Sequence, residues 1–259
     1  MKKVAIIGLG WLGLPLAKHL SAQGWQVKGT KRSDVNIDGI DTFRFCLGDK
    51  LERELGELLR VDSLVINIPP SKIGDDAYFN GIKGVINHAI LQNVRHLLFV
   101  STTGVFPQTS GVFDESCCDL LETGTVRVER WLQTLPIHCD IVRLAGLIGK
   151  HRHPVFHLAG KRELKNAGQP VNLVHQQDVI RAIEWLLNTP NQQRIFHLCA
   201  SQHPTRAEYY TAIATKFGLA DLHFLPEISP LVRIISGEKI CRELGFQYQF
   251  DDPLTMPID

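Results

Sequence analysis

Long apolar runs, an excess of charge of one sign and paired cysteines are all missing from this sequence, and each absence excludes a class of protein. No stretch of the 259 residues approaches the roughly 20 apolar residues of a membrane-crossing helix. The formal net charge is +1 with neutral histidines, so neither a nucleic-acid surface nor a membrane surface is expected. Glycines interrupt the apolar start MKKVAIIGLGW, so we expect this segment to stay in the mature protein and not to act as a signal peptide. We therefore expect a cytoplasmic protein whose partners are small molecules.

The sequence also lacks the spacing of a metal site or a disulfide scaffold. Its six cysteines are scattered, and the adjacent pair Cys117 and Cys118 does not have the CxxC spacing. We interpret the cysteines as core thiols. His151, His153 and His157 lie close in sequence, but no carboxylate or cysteine completes a metal-ligand pattern, so we interpret them as part of a solvated flap and predict no metal.

A short apolar run near the start ends in a glycine-rich turn. The pattern GxGxxG is formed by Gly8, Gly10 and Gly13, with Trp11 and Leu12 inside it. A strand that breaks into a helix over such glycines leaves free backbone N–H groups at the helix start, and these bind phosphate. Alone the pattern is weak, because a glycine turn can also join a strand to a helix without a ligand.

Strand-like and helix-like stretches alternate along most of the chain. Apolar strands separated by helical periods predict an α/β fold, a doubly wound parallel sheet of the NAD(P)-binding Rossmann type, whose ligands bind at the carboxyl ends of the strands. We expect strands over 4–7, 25–30, 42–45, 63–68, 96–101, 139–143 and 194–200, and helices over 12–22, 51–59, 78–92, 125–135, 178–187, 205–217 and 238–244.

The regular alternation loosens after residue 143. We predict a Rossmann core over 1–146 and 171–200, and a small substrate-side lobe over 147–170 and 201–259. No internal repeat or low-complexity linker separates the two, so the lobe is expected to be built from excursions of one chain.

The end of the second strand predicts which dinucleotide binds. An acidic residue at this place pairs with the ribose of NAD, whereas basic and hydroxyl groups admit the 2′-phosphate of NADP. Thr30, Lys31 and Arg32 stand there, and Asp34, the nearest acid, is placed one turn too late. We expect NADP, with NAD less favoured; a simple solvated loop is the alternative.

Two further strand ends are candidate contacts for the cofactor. The fourth strand ends at Ile68, Pro69 and Pro70, a rigid edge on which a ring or a ribose can lie, although two prolines can also simply stop a strand. The fifth runs out as FVSTTGVF, which leaves Ser101 and Thr102 where a nicotinamide ring would arrive.

Several stretches together resemble one known family. GLGWLGLPLA, NIPPS, FVSTTGVF, FDES, RLAGLIGK and PVNLVHQQDVIRAI are similar to segments of the extended short-chain dehydrogenase/reductases, the group of NAD-dependent epimerases and dehydratases, and within it to the atypical YeeZ-like branch. The resemblance implies a catalytic role for Thr102 and a substrate-side position for His175. It also implies a homodimer formed through the helices over 78–92 and 125–135.

The sequence departs from this family at its proton donor. The family's Tyr-xxx-Lys pair should fall after FDES, but Thr123 and Arg127 occupy that spacing. None of the four tyrosines has a lysine four residues later, so the pair is absent from the chain. Arginine can hold a ribose, but a threonine hydroxyl cannot replace a phenol whose pKa is lowered by lysine.

The remaining polar candidates have structural alternatives. His175 suits proton transfer near neutral pH, but a histidine in a short extended segment is more often structural. We interpret Asp178 as the N-cap of the following helix. Glu122, Arg127, Glu129 and Arg130 are interpreted as a charged, solvated helix face.

These observations predict an NADP-binding oxidoreductase or epimerase-like protein that acts on a small, nucleotide- or sugar-like substrate. The alternative is a non-catalytic, NAD(P)-responsive binding or regulatory protein, because the Tyr-xxx-Lys pair is missing. The third hypothesis is a purely structural Rossmann domain that binds no nucleotide.

Overall fold

The computed structural model describes residues 1–48, 53–70 and 73–258. Strands and helices alternate through the chain. In chain order the strands are β1 (Lys3–Ile7), β2 (Gln26–Lys31), β3 (Asp41–Arg44), β4 (Ser63–Ile66), β5 (His96–Thr102), β6 (Gly111–Phe113), β7 (His138–Leu144), β8 (Gly146–Ile148), β9 (Leu173–His175), β10 (Arg194–Leu198) and β11 (Arg233–Ile235). The helices are α1 (Gly13–Ala22), α2 (Arg53–Leu58), α3 (Asp75–Leu91), α4 (Gly124–Leu132), α5 (Val155–Leu158), α6 (Gln176–Asn188), α7 (Arg206–Lys216) and α8 (Glu238–Leu244).

Seven of the strands form one parallel sheet in the order β10-β7-β5-β4-β1-β2-β3. The register between β1 and its two neighbours pairs Val4 with Val27 of β2 and with Ser63 of β4. From β1 the chain winds outward through β2 and β3 and then crosses back to β4. The carboxyl ends of β1 and β4 therefore flank the point where the winding reverses, which is where ligands bind in such sheets. The predicted doubly wound Rossmann architecture is confirmed.

The chain forms two compact units. The first contains Met1–Val105, Leu120–Arg143 and Ile180–Ile195, and the second contains Phe106–Asp119, Leu144–Val179 and Phe196–Asp259. The predicted boundaries assign residues 106–119, 144–146, 171–179 and 196–200 to the core, whereas the compact units place these residues in the second unit. Among the described helices, none combines the length and the apolar character that a membrane crossing requires.

The core of the first unit joins the sheet to the helices that cover it. Ile7 of β1, Leu64 of β4 and Phe99 of β5 pack in one buried cluster with Ile86 of α3 and Leu132 of α4. These strands are apolar on both faces because helices cover the sheet on both sides. Burial of this kind is the main favourable contribution to folding.

The second unit has its own apolar core and short strands. β6 pairs with β11, and β8 pairs with β9, both in parallel. Tyr209 and Ile213 of α7 pack with Val155, Val171 and Met256. Each of these four strands has three residues, which is too short for the alternation of apolar and polar residues to reveal a strand in the sequence.

Most predicted elements of the sheet agree with the structure within a few residues. The helix over 238–244 is reproduced as α8, and Gly24, which follows α1, adopts the left-handed conformation with φ +81°. Of the helix predicted over 51–59, residues 51 and 52 lie outside the described residues, and Arg53–Leu58 is helical. The strands β6, β8, β9 and β11 and the short helix α5 were not predicted.

Candidate nucleotide-binding site

The glycine turn between β1 and α1 is held by side chains from the ends of two neighbouring strands. The backbone N–H of Gly8 donates to the Thr30 hydroxyl at 2.9 Å, and the Asn67 side-chain amide donates to the Gly8 carbonyl at 3.1 Å. Gly8 has φ +105°, and a Cβ added there would lie 2.5 Å from the Asn67 carbonyl oxygen. Only glycine fits this position, because the backbone angle is unfavourable for other residues and a side chain would collide with Asn67.

The other two glycines of the turn have different surroundings. A Cβ at Gly13 would overlap the Gly8 carbonyl oxygen, so this glycine lets the start of α1 pack against the turn. A Cβ at Gly10 would meet no atom within 4 Å. The backbone beside Gly10 therefore borders open space, which is the arrangement that lets a phosphate approach the chain closely.

The start of α1 has no capping side chain. Leu12 occupies the N-cap position and provides no side-chain hydrogen bond, while Trp11 before it is half-buried. The first N–H groups of a helix have no partner within the helix and carry a partial positive charge. A pyrophosphate placed beside Gly10 would accept hydrogen bonds from such groups, so the donors present fit a dinucleotide.

Residues 33–36, which follow β2, line a surface cavity of about 370 Å³ together with Thr42, Phe43 and Arg44 of β3. Lys31 is half-buried, Arg32 is exposed, and Lys31 pairs in register with Arg44 of β3. The cavity lining includes Arg44 and also Asp34. Asp34, which was expected to lie one turn too late to reach the cofactor, thus lines the same cavity as Arg44.

The structure shows a role for Thr30 other than the predicted contact with the 2′-phosphate of NADP. Its side chain is buried, and its hydroxyl accepts the hydrogen bond from Gly8. Thr30 holds the glycine turn in place, and its contact with a 2′-phosphate stays a prediction.

A buried tyrosine holds the segment that follows β4 in place. The Tyr78 hydroxyl donates to the Ile68 carbonyl at 2.8 Å, and burial together with the nearby Glu129 carboxylate raises the pKa of Tyr78 above its usual range. Ile68 is half-buried, and Pro69 and Pro70 are exposed. Tyr78 is therefore a neutral hydrogen-bond donor that fixes this strand end, while the prolines present a rigid surface.

A buried ion pair contacts Ser101, near the carboxyl end of β5. The Arg143 guanidinium donates to both carboxylate oxygens of Glu129, with its shortest contact at 2.7 Å, and the Ser101 hydroxyl donates to the same carboxylate at 2.5 Å. Glu129 has no exposed surface. The interpretation of Glu129 as part of a solvated helix face is wrong, because Arg143 from β7 and Ser101 from β5 hold its charge inside the first unit.

The predicted catalytic threonine is the last residue of β5. Thr102 is exposed, and its hydroxyl accepts a hydrogen bond from the Gly104 N–H at 3.0 Å. Among the described residues no titratable side chain contacts this hydroxyl. Thr102 can hydrogen-bond a ligand oxygen, but no base in the described structure activates it.

The two residues at the expected places of the Tyr-xxx-Lys pair have other partners. Thr123 is the N-cap of α4 and accepts a hydrogen bond from the Val126 N–H at 3.3 Å. Arg127 forms an ion pair with Asp76 and stacks 4.6 Å above the Phe79 ring. Both interactions are structural, and the role of Arg127 at a ribose stays a prediction.

In the second unit, His175 is packed rather than open. Its Nδ1 accepts a hydrogen bond from the Gln177 N–H at 3.3 Å, and its Nε2 lies 3.1 Å from the Pro257 carbonyl. The ring also meets the Phe250 ring edge, with centroids 4.4 Å apart. The acceptor at Nδ1 defines the neutral tautomer that carries its proton on Nε2. Catalysis by His175 stays a prediction.

Asp178 does not cap α6. It lies in the first turn of α6, and its carboxylate accepts the N–H groups of Gln249 and Phe250 at 2.7 and 2.9 Å. The N-cap interpretation is wrong because α6 already begins at Gln176, two residues before Asp178.

The structure also shows the surroundings of the histidines in the segment after β8 and of the cysteines. His153 is buried, and its Nε2 lies 2.6 Å from the Tyr209 hydroxyl, so the solvated-flap interpretation is wrong for this residue. Among the described residues no group of His, Cys, Asp and Glu could hold a metal. All six cysteines are free; Cys139 and Cys199 are buried core thiols as expected, but Cys118 is exposed.

Sequence reasoning missed two residues that shape the site. Asn67 holds Gly8, and Arg143 holds Glu129. A polar residue at the end of an otherwise apolar strand was the available signal for both.

Comparison with known proteins bears on the fold and on the family. No family model matches the chain. With MoeE5, solved in complex with UDP-glucose and NAD, the TM-score is 0.81 at 13% identity, over 98% of this chain and 96% of that one. With the UDP-N-acetylglucosamine 4-epimerase from Bacillus cereus it is 0.79 at 16% identity, over 98% and 97%. The chain therefore has the same fold as these two proteins.

The sequence itself identifies the family. The chain is 39% identical to the protein YeeZ of Escherichia coli K12 over the full length of both. It belongs to the YeeZ family, and the resemblance seen in the sequence is confirmed.

Proposed function

We propose that this protein binds a nicotinamide dinucleotide at the glycine turn, prefers NADP to NAD, and acts as an oxidoreductase or epimerase-like enzyme on a small molecule. The proposal rests on the observation that hydrogen bonds hold the glycine turn in place while space beside it stays open. Thr30 and Asn67 hold both polar backbone atoms of Gly8, while Gly10 borders open space. A rigid turn with room beside it binds a pyrophosphate without a cost of reordering.

The preference for NADP rests on the charges near the end of β2. Arg32 is exposed, and Arg44 lines the cavity that follows this strand. A guanidinium binds a phosphate through two parallel hydrogen bonds. Asp34 is the one acidic residue in the cavity lining within the described chain, and it favours the ribose of NAD. Two guanidiniums against one carboxylate favour the 2′-phosphate.

The remaining cofactor contacts are proposed from the strand ends. Ile68, Pro69 and Pro70 form the surface beside the cofactor, and Ser101 sits below its far end. Arg127 would reach a ribose by leaving Asp76, an exposed ion pair whose loss costs about 1 kcal/mol or less.

For chemistry, the bound nicotinamide would supply a carbon that accepts or donates hydride. Thr102 would hold a substrate oxygen through its exposed hydroxyl. His175 is the candidate proton carrier, and its Nε2–H would have to leave the Pro257 carbonyl first. The substrate class is a nucleotide- or sugar-like molecule, because MoeE5, of the same fold, was solved with UDP-glucose. We also propose that α3 and α4 pair with those of a second copy to form a homodimer.

The alternative function is a non-catalytic dinucleotide-responsive protein. It is favoured by one observation, namely that Thr123 and Arg127 are engaged as a helix cap and an ion pair where the family has its proton donor and lysine. Such a protein would bind the dinucleotide through the same turn without turnover.

Calorimetric titration with NADPH and NADH tests the cofactor proposal. We expect NADPH to bind at least about tenfold more tightly, since hydrogen bonds to a charged group contribute about 1.5–3 kcal/mol. Arg32→Gln should weaken NADPH and leave NADH unchanged. Arg242→Gln, at an exposed arginine of α8, is the control. Equal or tighter binding of NADH would contradict the choice of NADP.

Turnover separates the two functions. NADPH oxidation is measured with a panel of carbonyl compounds and nucleotide sugars, with the wild type and Thr102→Ala. The enzyme proposal expects a rate above buffer that Thr102→Ala lowers about tenfold or more. Binding of NADPH without any turnover would favour the alternative.

A further inference from the structure

A second cavity lies at the opposite edge of the parallel sheet, within the first unit. Its volume is about 890 Å³, and it is lined by the loops that lead from α3 to β5, from α4 to β7 and from α6 to β10. Because β5, β7 and β10 are neighbours in the sheet, the amino ends of these strands bring the three loops together. Ligand cavities of proteins commonly have volumes of about 300–1,000 Å³.

The walls of this cavity combine an apolar surface with one cation. Ile90, Leu135 and Ile137 contribute apolar side chains, and Arg95 and His138 contribute polar ones. No Asp or Glu of the described chain lines the cavity. The Arg95 guanidinium has neither a hydrogen bond nor an ion pair with any residue that the structure describes. The charge of the lining is therefore uncompensated and positive.

Hydrogen bonds hold two of the three loops in place. The Gln193 side-chain amide donates to the Leu135 and Ile137 carbonyls at 2.8 and 3.1 Å. Arg194, next in the chain, donates to the Thr189 carbonyl at 2.8 Å and to the buried Asp140 carboxylate. A preformed wall reduces the entropy that a ligand would lose by ordering it.

We propose that this cavity binds a small organic carboxylate with an apolar body. Arg95 faces the carboxylate, since a guanidinium fork matches the two oxygens of that group. The side chains of Ile90, Leu135 and Ile137 cover the apolar body. A single guanidinium neutralises one negative charge, so a monoanion is preferred to a phosphate dianion. The site is independent of the proposed dinucleotide site, which lies at the carboxyl ends of the strands.

Octanoate and its neutral analogue octanamide test this proposal by titration in ligand-observed NMR. Octanoate should bind saturably, and octanamide about tenfold more weakly. Arg95→Gln should lower the affinity for octanoate to that of octanamide. Arg60→Gln is the matched control, because Arg60 also precedes a strand at this edge but pairs with Glu57 instead of lining the cavity.

A second pair of variants tests the apolar wall without touching the core. Ile90 lines the cavity and Leu91 beside it does not, and both are exposed on α3, at 38% and 76%. Ile90→Glu should abolish octanoate binding by repulsion, whereas Leu91→Glu should preserve it. The proposal is overturned by equal binding of octanamide, by unchanged binding to Arg95→Gln, or by displacement of octanoate with NADPH, which would place the anion in the dinucleotide site.

Discussion

Glu129 shows how much a single residue depends on its distant partners. In the sequence it belongs to a charged helix, and its neighbours Glu122 and Arg130 do form an exposed pair at 2.7 Å. Glu129 has no exposed surface and is bound by Arg143 and Ser101. A buried charge is tolerated only when paired and hydrogen-bonded, so this residue depends on both partners.

Glu129→Gln should therefore destabilise the protein strongly. The substitution leaves the Arg143 guanidinium buried without its counter-charge, a change that typically costs about 3–5 kcal/mol. Urea unfolding followed by tryptophan fluorescence measures it, because all four tryptophans lie in the first unit. Glu122→Gln, at the exposed pair, is the control and should cost about 1 kcal/mol or less. Similar small losses for both variants would contradict the buried pair.

At the scale of elements, the turn between β1 and α1 depends on three strands at once. Gly8 is fixed by Thr30 at the end of β2 and by Asn67 after β4, while Gly13 packs against the Gly8 carbonyl. The glycines of the turn thus serve two purposes. Gly8 and Gly13 permit close packing, and Gly10 leaves room beside the backbone.

Alanine substitutions should separate these purposes. Gly13→Ala forces a Cβ against the Gly8 carbonyl and should lower the free energy of unfolding by about 1–3 kcal/mol. Gly10→Ala meets no neighbour, so its free energy of unfolding should stay within about 0.5 kcal/mol of the wild type. Its affinity for NADPH should nevertheless fall. Gly10→Ala with wild-type affinity would mean that no phosphate lies beside Gly10.

For the whole molecule, the second unit contains a buried histidine that links stability to pH. Burial lowers the pKa of His153 from 6.5 to about 4. The folded protein therefore keeps His153 neutral at pH values where the unfolded chain already binds a proton. The associated stability is complete above pH 6.5 and is lost as the pH falls towards 4.

This linkage predicts a difference between the wild type and His153→Asn, which has no titratable group at that position. Between pH 7.5 and pH 4 the free energy of unfolding of the wild type should fall by about 2–3 kcal/mol more than that of the variant, since one pKa unit corresponds to about 1.4 kcal/mol. Urea unfolding followed by far-ultraviolet circular dichroism at both pH values measures this. His157→Asn, at an exposed histidine nearby, should keep the wild-type dependence.

The parts of the fold that could be predicted are those with local signals. The apolar run before Gly8, the helix 238–244 and the left-handed Gly24 each carry their information in a few adjacent residues. The three-residue strands of the second unit could not be predicted, because β6 forms only against β11, more than a hundred residues away. The contacts of Asp178, which was interpreted as an N-cap, could not be predicted for the same reason, since its partners Gln249 and Phe250 are distant in sequence.

The sequence by itself determined the class of fold, the place of the glycine turn and the absence of a Tyr-xxx-Lys pair, because apolar periodicity, glycine conformation and residue identity are local properties. Only the tertiary structure decided that Thr30 and Asn67 hold Gly8, that Glu129 is buried against Arg143, and that Arg95 lines a cavity without a counter-charge. The reason is physical: the partner of a polar or charged side chain is chosen by packing, which joins residues that the linear sequence keeps apart.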